Sequence, residues 1–81
     1  MAGLQRRGPA ITAHIDLYQR SFLRRLAERD GEVLFSKGSR QRLAGEALVQ
    51  AGYARHDPIF SHAFAITSAG EYYLDRLLGV H

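Results

Sequence analysis

The stretch LVQAGYARHDPIFSHAFAITSAGEYYL, residues 48–74, decides how this chain is read. Leu48 to Ala51 form the end of a helix, and Gly52 stops it, since glycine accepts the positive φ common just past a helix C-terminus. Tyr53 to His56 read as one strand. Asp57-Pro58 starts a turn, because proline fixes φ and aspartate bonds the backbone that follows it. On the return, Phe60, His62, Phe64 and Ile66 alternate with Ser61, Ala63 and Ala65, the period of a strand; the exposed loop reaches as far as Phe60. A further helix opens at Thr67 or Ser68, where Ser68-Ala69-Gly70-Glu71 has capping-box spacing, a hydroxyl followed three residues on by a carboxylate. The expectation is a two-stranded flap between two packed helices.

Working outward, residues 12–29 read as an amphipathic helix. Ile11, Ile15, Tyr18, Phe22 and Leu26 recur every three to four residues and fall on one face, which Leu23 widens. Thr12 is the expected N-cap, Asp16 suits the positive end of the helix in its first turn, and Asp16 and Arg20 stand four apart in the favourable order. Asp30-Gly31 ends this helix. Arg20, Arg24, Arg25 and Arg29 lie off the apolar stripe, as on an ordinary solvated face. Residues 32–36, Glu-Val-Leu-Phe-Ser, are short and β-prone and read as a strand before the Lys37-Gly38-Ser39 turn. Residues 40–51 are the next helix, with Ser39 as N-cap and Leu43, Ala47, Leu48 and Ala51 on its buried side. Gly45 costs this helix about 1 kcal/mol relative to alanine, so it points to close packing against another element. Tyr72, Tyr73, Leu74, Leu77 and Leu78 belong to the last helix, which Gly79 closes.

The order is helix, strand, helix, hairpin, helix: an α+β domain spanning residues 11–81, preceded by a flexible basic arm over residues 1–10 that carries Arg6 and Arg7. Its expected core is Tyr18, Phe22, Leu26, Leu43, Leu48, Ile66, Tyr73 and Leu77. At 81 residues, with 46% hydrophobic and 23% charged residues, the chain suits one small folded domain rather than a disordered segment. It has no cysteine, hence neither disulfide nor thiolate metal site, which fits a reducing cytoplasm. No apolar run of about 18 residues is present to span a membrane, and no apolar core follows Arg6 and Arg7 to make a secretory signal. The net charge is +3, with positive charge in the first two thirds of the chain.

Two lines carry a family resemblance. Leu48-Val49-Gln50-Ala51-Gly52-Tyr53-Ala54 looks like the end of a recognition helix, and Ile66-Thr67-Ser68-Ala69-Gly70-Glu71-Tyr72-Tyr73-Leu74 looks like the strand and closing helix that follow a wing. Together, at this spacing, they resemble the second half of winged-helix (winged helix-turn-helix) domains of bacterial and phage regulators, and Phe22-Leu23-Arg24-Arg25-Leu26-Ala27 is similar to their first helix. The chain departs from the family between Gly31 and Gly52, where one strand and one helix take the place of two helices arranged as helix-turn-helix.

The resemblance implies a small winged-helix-like domain, a regulator-like partner of duplex DNA in the cytoplasm. The second helix then reads as the nucleic-acid contact. Lys37, Ser39, Arg40, Gln41 and Arg42 lie at its start, where free backbone N–H groups and cations hold phosphate, and Arg and Gln are able to meet base edges. Arg6 and Arg7 of the arm would add phosphate contacts. The wing suggests another use. From Asp57 to Ile66 it has no Lys or Arg, and its Pro58-Ile59-Phe60 tip suits an apolar protein contact. The alternative is therefore a protein-interaction module that keeps the scaffold and has lost the DNA-reading motif. A homodimer through the long first helix fits either reading.

Catalytic chemistry is not indicated. Ser61-His62 and the scattered acids form no nucleophile–base set, and the glycines form no phosphate loop. His14, His56, His62 and His81 suggest a metal, with His56, His62 and Asp57 on one hairpin, but spacing places no further ligand beside them. No enzymatic activity, metal or cofactor is expected.

Overall fold

The computed structural model describes residues 14–78. Three helices, α1 (Leu17–Ala27), α2 (Gly38–Gln50) and α3 (Ser68–Leu78), pack with three short strands, β1 (Leu34–Phe35), β2 (Ala54–His56) and β3 (Ala63–Ile66). The order is helix, strand, helix, hairpin, helix, in an arrangement like that of a winged helix. Among the described residues one helix, α2, lies between α1 and the hairpin. The expectations for Ile11, Thr12, the Arg6–Arg7 arm, Gly79 and His81 fall outside the described residues.

The expected hairpin forms, with Ala54 opposite Ile66, Arg55 opposite Ala65 and His56 opposite Phe64. It is more than a two-stranded flap, because β1 pairs antiparallel with the other edge of β3, Leu34 with Phe64 and Phe35 with Ala63. β3 is thus central in a sheet of order β1-β3-β2. Ser36 continues the pairing through its backbone N–H (2.9 Å) and hydroxyl (3.0 Å), which both donate to the carbonyl of His62. β3 has a strand along each edge and its outer-face residues are the small Ala63 and Ala65, shielded by their neighbours, so all four β3 residues are buried and the expected in-out alternation is absent.

Register assigns the sheet faces. Leu34, Phe64 and His56 share the inner face with Ala54 and Ile66; Phe35, Ala63, Ala65 and Arg55 share the outer one. The core lies on the inner side and joins Phe22, Leu23 and Leu26 of α1, Ala44 and Leu48 of α2, Tyr53, Ala54, Phe64, Ile66 and Leu74. Phe64 is at its centre, edge-on to Phe22 at 6.2 Å between ring centroids. A Cβ on Gly45 would stand 2.5 Å from the Phe64 ring, so the helix-weakening glycine is what lets α2 lie against the sheet.

That contact also fixes how α2 is rotated. Ala44, Gly45 and Leu48 face inward. Leu43, two residues from Gly45 and so about 200° around the helix, points to solvent and is 68% exposed, which corrects its expected core role. Leu77 is 39% exposed, which corrects its expected core role as well. Tyr18 and Tyr73 pack against the core without being fully buried, and Tyr73 stacks on buried Tyr53 at 4.6 Å.

The helix starts differ from expectation for local reasons. α1 begins at Leu17, and Asp16 is its N-cap rather than a first-turn residue. The Asp16 carboxylate accepts from the Gln19 N–H (2.7 Å) while the Gln19 amide oxygen accepts from the Asp16 N–H (3.0 Å). This closed pair occupies the carboxylate expected to face Arg20. Lys37, not Ser39, is the N-cap of α2; it makes no side-chain cap bond, and instead its N–H donates to the Gln41 amide oxygen at 2.7 Å. At α3 the capping hydroxyl belongs to Thr67, which accepts from the Gly70 N–H at 3.1 Å and donates to the Gly52 carbonyl at 2.7 Å. One side chain therefore ties the C-terminus of α2 to the start of α3, and Ser68–Glu71 is not the capping pair.

Candidate nucleic-acid interface

Successive residues on a helix are about 100° apart. With Ala44, Gly45 and Leu48 inward, the centre of the outward face of α2 falls on Ser39, Leu43, Glu46 and Gln50. Arg40 and Arg42 flank that stripe on opposite sides. The Arg40 guanidinium lies 4.0 Å from the centre of the Tyr18 ring of α1. Stacking of this kind orients a guanidinium and leaves its in-plane donors open. Arg42 is on the hairpin side, lining a shallow depression with Ser36, Gly38, Ser39 and His62. Lys37, just before the helix, lines a second depression with Arg29, Arg55, Phe35 and Asp57.

Neither Arg40 nor Arg42 is neutralised by an ion pair among the described residues. Glu46, which is within helical reach of Arg42, is turned to His56, with Oε1 at 3.3 Å from Nε2. The His56 Nδ1 lies 2.9 Å from the Ser61 carbonyl and so donates to it. His56 thereby links α2, the hairpin and its loop. Gln41 departs from the other expected contacts: it is half-buried on the α1 side, and its amide oxygen is held by Lys37. Arg6 and Arg7 lie outside the described residues.

The hairpin loop is organised by Asp57. Its carboxylate Oδ2 accepts from the backbone N–H groups of Ile59 and Phe60, both at 2.9 Å. These two bonds, Phe60 first, hold the Asp57 carboxyl below its ordinary value of 3.8, with Arg55 adding a smaller effect of the same sign. The bonds fix a tip on which Pro58, Ile59 and Phe60 are all exposed, Ile59 to 79% and Phe60 to 47%. Phe60 packs at 5.3 Å on Phe35, itself 43% exposed, and Phe35 packs at 5.4 Å on His62.

Phe35 had no place in the site expected from sequence, because it read only as a strand residue. The available signal was an aromatic in a very short strand, a length common at sheet edges, where a side chain has a neighbouring strand on one side only. Among the described residues no three His, Asp or Glu side chains converge as a metal site would require. None of the described helices is long and apolar enough to cross a membrane. Set against family models, curated proteins and solved structures, the chain matches none of them.

Proposed function

We propose that this protein is a binding module for duplex DNA, with α2 as the element that meets the groove and phosphates as the main contacts. The observation that supports this most is the pair Arg40 and Arg42, unneutralised on opposite sides of the outward stripe of α2. A helix in the major groove has a phosphate strand on each side. Arg40, oriented by Tyr18, would meet one strand, and Arg42 with Lys37 the other. The stripe between them is poor in base-reading groups: Leu43 is apolar and Glu46 is engaged by His56. Binding would therefore be led by the backbone, with weak sequence preference. Gln41 drops out of the proposed contacts because its amide oxygen is occupied.

Salt-dependent titration of a blunt duplex tests this. Phosphate contacts release counterions, so Lys37, Arg40 and Arg42 would give a log–log salt slope of about −3. Binding that is flat in salt, or absent at low salt, contradicts the proposal.

The exposed Ile59, Phe60 and Phe35 favour a second reading, a protein-interaction module using the hairpin tip. Size-exclusion chromatography and capture of a partner by the wild type but not by I59D and F60D would support it.

A further inference from the structure

We infer that the hairpin tip and the outer sheet face form a stacking platform for an unpaired base of a nucleic acid, built from Phe35, Phe60 and His62. The inference rests on the nucleic-acid reading of α2 and adds a second ligand class, single-stranded ends or tails.

Three observations carry it. The rings are contiguous and open: Phe35 touches Phe60 at 5.3 Å and His62 at 5.4 Å, and all three residues are exposed. The loop that presents Phe60 is set by the two backbone bonds to Asp57, so the platform is ordered before any ligand arrives. The surroundings are cationic on both sides. Arg29, Lys37 and Arg55 line the depression on one side of Phe35, and Arg42 lines the depression that His62 shares on the other. Of the two carboxylates in that setting, Glu32 and Asp57, the second is occupied by the amides of Ile59 and Phe60.

Open aromatic faces between arginine and lysine side chains are what single-stranded nucleic acid requires. Each base offers a π-face to a ring and each phosphate a charge to the cations. An apolar protein segment would be served equally well by aliphatic residues and would gain nothing from the cationic margins. The path is also continuous, because His62 contacts Phe35 and lines the same depression as Arg42. A strand leaving a duplex on α2 would pass Arg42 and reach the rings, with exposed Ile59 beyond them.

The test compares two labelled DNA hairpins by fluorescence anisotropy at one salt concentration. One has a blunt end, the other the same stem with a five-nucleotide unpaired tail. Wild type should bind the tailed probe at least about five-fold tighter, and F60A and F35A should remove that preference, since one stacked base is worth roughly that factor or more. F60Y should retain it and F60L should not, while blunt-stem binding stays within about two-fold in every variant whose thermal melt matches wild type. Equal affinity of wild type for the two probes overturns the inference and leaves the duplex reading intact. Full retention of the preference in F60L, or in F60A and F35A, also overturns it, in favour of an apolar protein contact. Loss of binding to both probes by wild type overturns the duplex reading as well.

Discussion

Thr67 shows how much one side chain can hold here. Its hydroxyl donates to Gly52 and accepts from Gly70, and its N–H donates to the Tyr53 carbonyl at 3.0 Å. T67V keeps the shape and removes both hydroxyl bonds, leaving the Gly70 N–H and Gly52 carbonyl without that partner. Urea unfolding should show a loss of about 1–2 kcal/mol; an unchanged midpoint would mean that the junction is held elsewhere. At Gly45 two effects oppose. Alanine improves the helix by about 1 kcal/mol, but its Cβ would stand 2.5 Å from the fully buried Phe64 ring, so the ring or the helix must shift. Overpacking of about 1–3 kcal/mol outweighs propensity, so G45A should lower stability, and a more stable G45A would show that Phe64 is free to shift. The close approach at Gly45 was legible in sequence because an interior helix glycine needs a packing reason. The cap at Thr67 was not: Ser68–Glu71 has better local spacing, and what favours Thr67 is the Gly52 carbonyl, fifteen residues away in the chain.

At the scale of elements, the three helices, the hairpin and the order that joins them were legible from glycine stops, the Asp57-Pro58 turn and apolar periodicity. Boundaries and rotation were less so. Asp16 shortens α1 by capping it in partnership with Gln19, a closure that spacing alone does not rank above Thr12. The rotation of α2 depends on which residue meets Phe64, a non-local contact, and so Leu43 read as core. With Leu43 on the outward side of α2, L43Q should change stability by no more than about 0.5 kcal/mol, whereas a core leucine would lose several; urea unfolding separates the two. The hairpin loop has its own pH dependence. The carboxyl of Asp57 titrates lower in the fold than in the unfolded chain, so its contribution is complete above 3.8 and is lost as pH falls through the depressed value. The amide resonances of Ile59 and Phe60 should hold steady through mildly acidic pH and move together only below that ordinary value. Movement centred well above it would show that another group governs the loop.

For the whole molecule, the candidate site was only partly legible. Arg40 and Arg42 were identified by type and position, but sequence did not show that they flank one outward stripe or that Tyr18 orients the first of them. Gln41 read as a base contact because its amide is able to meet base edges, and only the fold reveals that its oxygen accepts from the Lys37 N–H. Phe35 was invisible as a surface residue until β1 took an edge position beside β3. The resulting charge layout joins α2 to the hairpin, with cations at the helix start and along the sheet margin, and aromatic rings between them. The proposed binding depends most on α2 as a phosphate-contacting helix. Its most direct test is the affinity of wild type and the R40A/R42A double variant for one blunt duplex across a salt series. We predict a wild-type log–log slope of about −3, made shallower by about two in the variant with an unchanged thermal melt. Equal slopes for the two proteins, or no binding by wild type at low salt, would contradict it.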